Sequence, residues 1–161
     1  MSDAAQLLTA AKAKGLMLAT AESCTGGMLS AAITDISGSS AIFDRGFVTY
    51  TNAAKMQMLG VQEETLTTHG AVSEPVAAQM ATGALQHSDA DIAVSITGIA
   101  GPGGSEHKPE GRVCFGLATT DAITTETVEF GALGRDKVRQ AARDHGLHLF
   151  IVAVDSLASK K

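Results

Sequence analysis

The stretch Leu16-Met17-Leu18-Ala19-Thr20-Ala21-Glu22-Ser23-Cys24-Thr25-Gly26-Gly27-Met28 decides how this chain is read. Residues 16–21 are a short, mostly apolar run with the length of a buried strand. A helical pattern follows the two glycines and continues through Ile33, so Gly26 and Gly27 fall at a strand-to-helix turn. In α/β folds such a turn is where ligands sit, because backbone amides and the positive end of a helix face it. Neither the Rossmann glycine spacing nor the P-loop pattern is present, so this turn is not a phosphate cradle of either kind.

Outward from this turn the pattern repeats. Residues 3–14 read as a helix capped by Asp3 and stopped at Gly15. Gly38-Ser39-Ser40 is a loop, residues 42–50 a strand, and Asn52 the N-cap of a helix that runs to Leu59. Ser73 and Pro75 open another helix carrying Val76, Met80 and Leu85, and residues 92–96 form a further buried strand. A glycine-rich loop from Thr97 to Gly111 is long enough to predict a functional segment. Residues 113–119 and 124–130 read as a hairpin across Thr120-Asp121-Ala122, and a closing helix carries Val138, Ala142, Leu149 and Val152. This order predicts an α/β fold: a three-layer α/β/α sandwich with a mixed, mostly parallel sheet containing one antiparallel hairpin. No repeat, low-complexity tract or linker interrupts it, so a single domain over residues 3–158 is expected.

Composition narrows the function. The 161 residues are 45% apolar and 18% charged, enough apolar material for a core without disulfides or metal. Net charge is −5, and no basic block exceeds Lys160-Lys161, which disfavours nucleic acid and anionic membranes as partners. One Tyr, five Phe and no Trp leave little on which single-stranded bases would stack. Cys24 and Cys114 form no C-x-x-C pattern, which points to a reducing cytoplasm. The N-terminus lacks a basic leader region, and the longest apolar run, 149–154, is too short for a membrane span. A soluble, unprocessed protein is expected.

Four groups of residues could carry chemistry. Ser23 with Thr25, Gly26 and Gly27 either offers a hydroxyl beside close-approaching amides or merely caps a tight turn. Lys55 falls in the first turn of its predicted helix, where the dipole disfavours an ammonium, so it could be a neutral base for a serine; the alternative is a solvated surface lysine. Tyr50 could hydrogen-bond that amine or the nucleophile, or end a strand with its ring in the core. Thr97 and the glycines after it, Gly98, Gly101 and Gly103, could wrap a polar substrate or form a plain crossover. Arg135 and Arg139, four apart at the start of the last helix, could hold an anion such as phosphate or be offset by Asp136. Cys24 adjoins Ser23, and a small buried thiol is its expected role. His69, His87, His107, His145 and His148 show no metal spacing, so no metal site is expected.

Three motifs carry a family resemblance. Glu22-Ser23-Cys24-Thr25-Gly26-Gly27, then Phe43-Asp44-Arg45-Gly46-Phe47-Val48-Thr49-Tyr50-Thr51-Asn52 with Lys55, then Ser95-Ile96-Thr97-Gly98-Ile99-Ala100-Gly101-Pro102-Gly103-Gly104 resemble the CinA C-terminal domain family in order and over nearly the whole chain. The resemblance implies hydrolysis of the carboxamide of nicotinamide mononucleotide (NMN) to nicotinate mononucleotide and ammonia, in pyridine nucleotide recycling, with no metal or other cofactor. It assigns the nucleophile to Ser23, its partner to Lys55 and the family tyrosine to Tyr50. It also implies substrate contact at Thr97, arginines near phosphate at Arg135 and Arg139, and a homo-oligomer in the stand-alone form. Where family members often have Gly-Asp-Arg, this chain has Leu133-Gly134-Arg135. From the residues alone, two other functions stay open: a non-catalytic nucleotide-binding or interaction module, and a Ser/Lys amidase for another small nucleotide.

Overall fold

The computed structural model describes residues 1–161 and runs α1 (Asp3–Lys14), β1 (Leu18–Glu22), α2 (Met28–Thr34), a 3-10 turn (Ser39–Ala41), β2 (Phe43–Val48), α3 (Asn52–Leu59), α4 (Glu63–His69), α5 (Glu74–Gln86), β3 (Ile92–Gly98), β4 (Arg112–Thr119), β5 (Ile123–Glu129) and α6 (Arg135–Ser156). Local chemistry sets most boundaries. Ser73 caps α5 ahead of Pro75, and Gly15 ends α1 in a left-handed conformation, both as the residues predict. Two caps fall one position earlier than expected. Ser2 rather than Asp3 caps α1, accepting from the Ala5 amide, and Thr51 rather than Asn52 caps α3, accepting from the Ala54 amide. Asp3 and Asn52 become the first helical residues, and the side chain of Asn52 is free for another use.

The sheet order is β2-β1-β3-β4-β5. β1 pairs parallel with β2 and β3, while β4 pairs antiparallel with β3 and β5, so β4 alone runs against the other four. The hairpin turns across residues 120–122 as predicted. Residues 61–72 carried no predicted element, yet α4 lies there; with seven residues and Leu66 its only buried side chain, it offers no periodicity to read. β2 stops at Val48 instead of continuing to Tyr50, and β3 extends two residues past Ile96. On α6 the buried stripe is Val138, Ala142, Leu147, Phe150 and Val154; Val152 is half exposed.

Helices cover both faces. Leu18, Ile92, Val94, Ile96 and Phe115 pack against Leu7, Leu29, Ile33 and Phe150 of α1, α2 and α6. On the other face Ala19, Ala21 and Ala93 meet Leu59 of α3 and Val76, Met80 and Ala84 of α5. All five residues of β1 are therefore buried, the mark of a strand enclosed on two sides. Each large apolar side chain placed there contributes about 1.5–3 kcal/mol by leaving water. From β1 the chain departs through α2 on one face, and it reaches β3 from α5 on the other. The ends of these adjacent parallel strands consequently open a crevice, the usual binding position in an open α/β sheet. No helix is long and apolar enough to cross a membrane.

Candidate active site

The crevice holds Ser23 immediately after β1 and Lys55 on the first turn of α3. The Ser23 amide donates to the Ile96 carbonyl at 2.9 Å, continuing the ladder with β3 for one more residue and fixing where the side chain emerges. Lys55 Nζ lies 2.9 Å from Ser23 Oγ, 3.0 Å from the Thr49 carbonyl and 3.1 Å from the Tyr50 carbonyl. Those two carbonyls turn to the amine, which explains why β2 ends before them. Lys55 is 1% exposed and Ser23 8% exposed. Burial lowers the Lys55 pKa below the ordinary lysine value, opposed by Cys24 where its thiol is ionised and by Glu106. In its neutral form the amine has two hydrogens and one lone pair: with the two carbonyls taking the hydrogens, the lone pair is left for the serine hydroxyl 2.9 Å away. That is the arrangement a general base for serine requires.

Ser23 sits in a turn with Cys24, Thr25 and Gly26 that closes on a 3.1 Å bond from the Gly26 amide to the Ser23 carbonyl. Gly26 (φ 57°) and Gly27 (φ 105°) are both left-handed, a pair of conformations that side chains resist. The amides of Cys24, Thr25 and Gly27 have no acceptor within the fold. They are the available donors for an oxyanion formed at Ser23. The next three amides are already used, that of Met28 by the Thr25 carbonyl at 3.0 Å. Buried Glu22 accepts from the amides of Leu29 and Ser30 and from Ser30 Oγ, at 2.7–3.0 Å, so its carboxylate occupies the N-terminus of α2. A strand ending in an acidic residue shortly before a helix start is the signal that could have identified it.

A cavity of about 210 Å³ opens over the pair, lined by Ser23, Cys24, Tyr50, Asn52, Lys55, Thr97, Gly98 and Arg135, with Ala71, Val72 and Ala100 supplying its apolar wall. Thr97 Oγ1 donates to the Ala71 carbonyl at 2.9 Å, leaving its lone pairs to accept from a ligand. Gly98 must be small, since a Cβ there would stand 2.7 Å from Val113 and 3.1 Å from Cys24 Sγ. Tyr50 meets the amine through its carbonyl, while its exposed phenol oxygen accepts from Arg135 Nη2 at 2.9 Å. Arg135 Nη1 donates to the Gly101 carbonyl at 2.7 Å, so this arginine ties the glycine loop to the cavity mouth.

The other predicted site residues stand behind this lining. The fully buried Thr25 hydroxyl finds no partner, and Gly26 and Gly27 shape the turn. Gly103 donates its amide to Glu110, which also accepts from the amide of Gly134 ahead of α6. Arg139 faces away from the cavity, donating to the carbonyls of Cys24 at 3.0 Å and Thr25 at 3.4 Å. Of the polar lining residues, Asn52 is the one whose sequence reading is a cap alone; Ala71 and Val72 carry no reading at all. Burial pushes the Cys24 thiol up to about 11, so it is protonated at neutral pH and a poor nucleophile beside Ser23. No three His, Cys, Asp or Glu side chains converge as a metal site would need. A larger hollow of about 360 Å³ between the β4–β5 hairpin and the end of α5 contains no serine, lysine or histidine.

Known proteins share this arrangement of fold and chain. The nicotinamide-nucleotide amidohydrolase PncC of Escherichia coli K12 is 57% identical over 143 residues, 88% of this chain and 87% of that protein. A CinA-like protein of Chloroherpeton thalassium is 60% identical over 110 residues, 68% of this chain but 26% of its own length. The solved structure of the competence/damage inducible protein CihA from Agrobacterium tumefaciens superposes with a TM-score of 0.91 at 48% identity, covering 96% of this chain and 94% of that one. A CinA superfamily protein from Klebsiella pneumoniae gives 0.92 at 36% identity, covering 96% and 97%. The description of the CinA C-terminal domain matches residues 2–154, which take in the Ser23 turn, Lys55, the glycine loop and both arginines, and the chain belongs to that family.

Proposed function

We propose that this protein is a nicotinamide-nucleotide amidase that converts NMN to nicotinate mononucleotide and ammonia in pyridine nucleotide recycling. The observation that carries this reading is the 2.9 Å contact between Ser23 Oγ and a buried Lys55 amine whose pKa is depressed. The 57% identity to PncC over most of both chains supports the substrate. Ser23 Oγ adds to the carboxamide carbon while its proton passes to Lys55 Nζ. The carbonyl electron pair moves onto oxygen and is held by free amides of the 24–27 turn. Collapse restores the carbonyl and breaks the C–N bond, with Lys55 returning the proton so that ammonia leaves. Water then adds to the acyl-serine, Lys55 takes its proton, and the second collapse returns that proton to Ser23 Oγ.

The lining fits the rest of the substrate. Thr97 Oγ1 can accept from the carboxamide N–H, and Arg135 at the mouth supplies the cation for phosphate. The small cavity is polar around the reacting amide, with Tyr50 the one aromatic ring beside it. The reading includes a homo-oligomer, supported by the exposed apolar side chain of Val48 and the exposed ring of cavity-lining Tyr50, at 46% and 58% exposure. Its cytoplasmic setting is supported by two free buried thiols. An ammonia-release assay with NMN and nicotinamide riboside tests it. NMN should be turned over and the riboside much less; absence of ammonia from NMN overturns the reading.

A further inference from the structure

We propose that Arg139 is a positioning residue that sets the orientation of the nucleophile turn, and that it does not read phosphate. The turn Ser23-Cys24-Thr25-Gly26 closes on its end-to-end hydrogen bond, which leaves the central peptide, between Cys24 and Thr25, without a hydrogen bond from the turn itself. The common turn types differ chiefly by a flip of that peptide, and no bond inside the turn forbids the flip. Arg139 supplies the missing restraint from α6, 115 residues away, by donating its Nε–H to the Cys24 carbonyl at 3.0 Å. In a planar trans peptide the N–H points opposite to the C=O, so the same bond directs the Thr25 amide away from Arg139. The Thr25 amide is one of the three without an acceptor.

Two further contacts agree. Arg139 Nη2 reaches the Thr25 carbonyl at 3.4 Å, the oxygen that also accepts from the Met28 amide where α2 begins. The guanidinium thus spans the two carbonyls that follow Ser23. Gly26 leaves the side of the turn facing α6 open, since even a Cβ there would stand 3.4 Å from Nη2. Arg135, one helical turn earlier, points into the cavity instead. Two arginines that share a helical spacing are therefore divided between the substrate and the nucleophile's backbone.

The inference rests on Ser23 being the nucleophile, and the experiment separates the two. Arg139→Met and Arg139→Lys are compared with Arg135→Met for ammonia release from NMN and from nicotinamide riboside, after thermal melting confirms folding. Arg139→Met should lower kcat about 10²-fold on both substrates with KM nearly unchanged, because misplacing a reacting group by a small distance costs about that much. Arg139→Lys should recover part of the loss, since one ammonium reaches one carbonyl. Arg135→Met should raise KM for NMN and erase the preference for NMN over the riboside. Labelling of Ser23 by a fluorophosphonate, which needs no NMN, should slow in parallel with kcat in the Arg139 variants. Wild-type labelling without ammonia release would discard the substrate while leaving Arg139 testable by labelling. Wild-type kcat and labelling in Arg139→Met would overturn the inference, as would a loss confined to phosphate-bearing NMN. If Arg139→Met does not fold, undiminished labelling of folded Arg139→Lys and Arg139→Gln overturns it instead.

Discussion

Lys55 and Lys14 place the same side chain at opposite kinds of site. Lys14 Nζ donates to the carbonyls of Val154, Asp155 and Leu157 at 2.6, 3.2 and 2.7 Å. Three hydrogens meet three acceptors at the C-terminal end of α6, where a helix favours a cation, and the group is only half-buried. Lys55 sits near the N-terminal end of α3, fully buried, with two carbonyls and one hydroxyl around its nitrogen. There the dipole and the desolvation work against an ammonium, and one of the three neighbours is a hydroxyl that can donate as well as accept. The difference teaches that the surroundings set a lysine's hold on its proton: one carbonyl replaced by a serine, and one helix end exchanged for the other.

The largest test of this contrast removes the serine. Ser23→Ala should lower ammonia release from NMN by more than about 10⁴-fold, as removal of the nucleophile does in serine hydrolases. Cys24→Ala should retain most activity, because the thiol beside the serine is protonated and buried. Inactive Cys24→Ala with active Ser23→Ala would transfer the role to sulfur. Next in size, Lys55→Met should cost about 10³-fold in kcat, within the span of general acid–base catalysis. Undiminished turnover in that variant would end the proposed pairing.

The pH dependence sharpens the comparison further. Activity should rise with pH as Lys55 loses its proton, with the limb centred below the ordinary lysine value of about 10.4 because burial lowers it. The same shift affects stability. Between the folded and unfolded pKa of Lys55 the unfolded chain carries the extra proton, so stability rises with pH across that window and is lost as pH falls through the folded value. Denaturant melts of Lys55→Met should show that slope removed. The smallest effect belongs to the other lysine. Lys14→Met should reduce stability by about 1 kcal/mol, since a partly exposed cation at a helix C-terminus contributes about that much, with kcat on NMN unchanged. A loss of activity without a loss of stability would mean that the α1–α6 contact reaches the site.

The candidate site was only partly legible. The strand, the glycine turn and the first-turn position of Lys55 follow from spacings of a few residues, and the structure keeps all three. Asn52 has the residue type of a cap, but Thr51 stands one residue earlier and its hydroxyl accepts from the Ala54 amide. Tyr50 was considered for its phenol, and its backbone carbonyl is what meets the amine. Glu22 carried no role in the sequence, since nothing local shows that α2 will fold back over the end of β1 to place two amides on its carboxylate.

What the sequence determined by itself, then, was the set of elements and the chemical types gathered at the end of β1. Caps, periodicity and glycine turns act within about four residues and leave their mark in the order of the amino acids. Only the tertiary structure decided which groups face each other. Ser23 and Lys55 are 32 positions apart, and Arg139 reaches Cys24 across 115. Four-residue spacing puts Arg135 and Arg139 on one helix face, yet it cannot divide them between a cavity and a backbone turn. That division arises because α6 lies along one face of the sheet and brings its first turns to the chain just after β1, where a long side chain takes the acceptors that packing leaves within its reach.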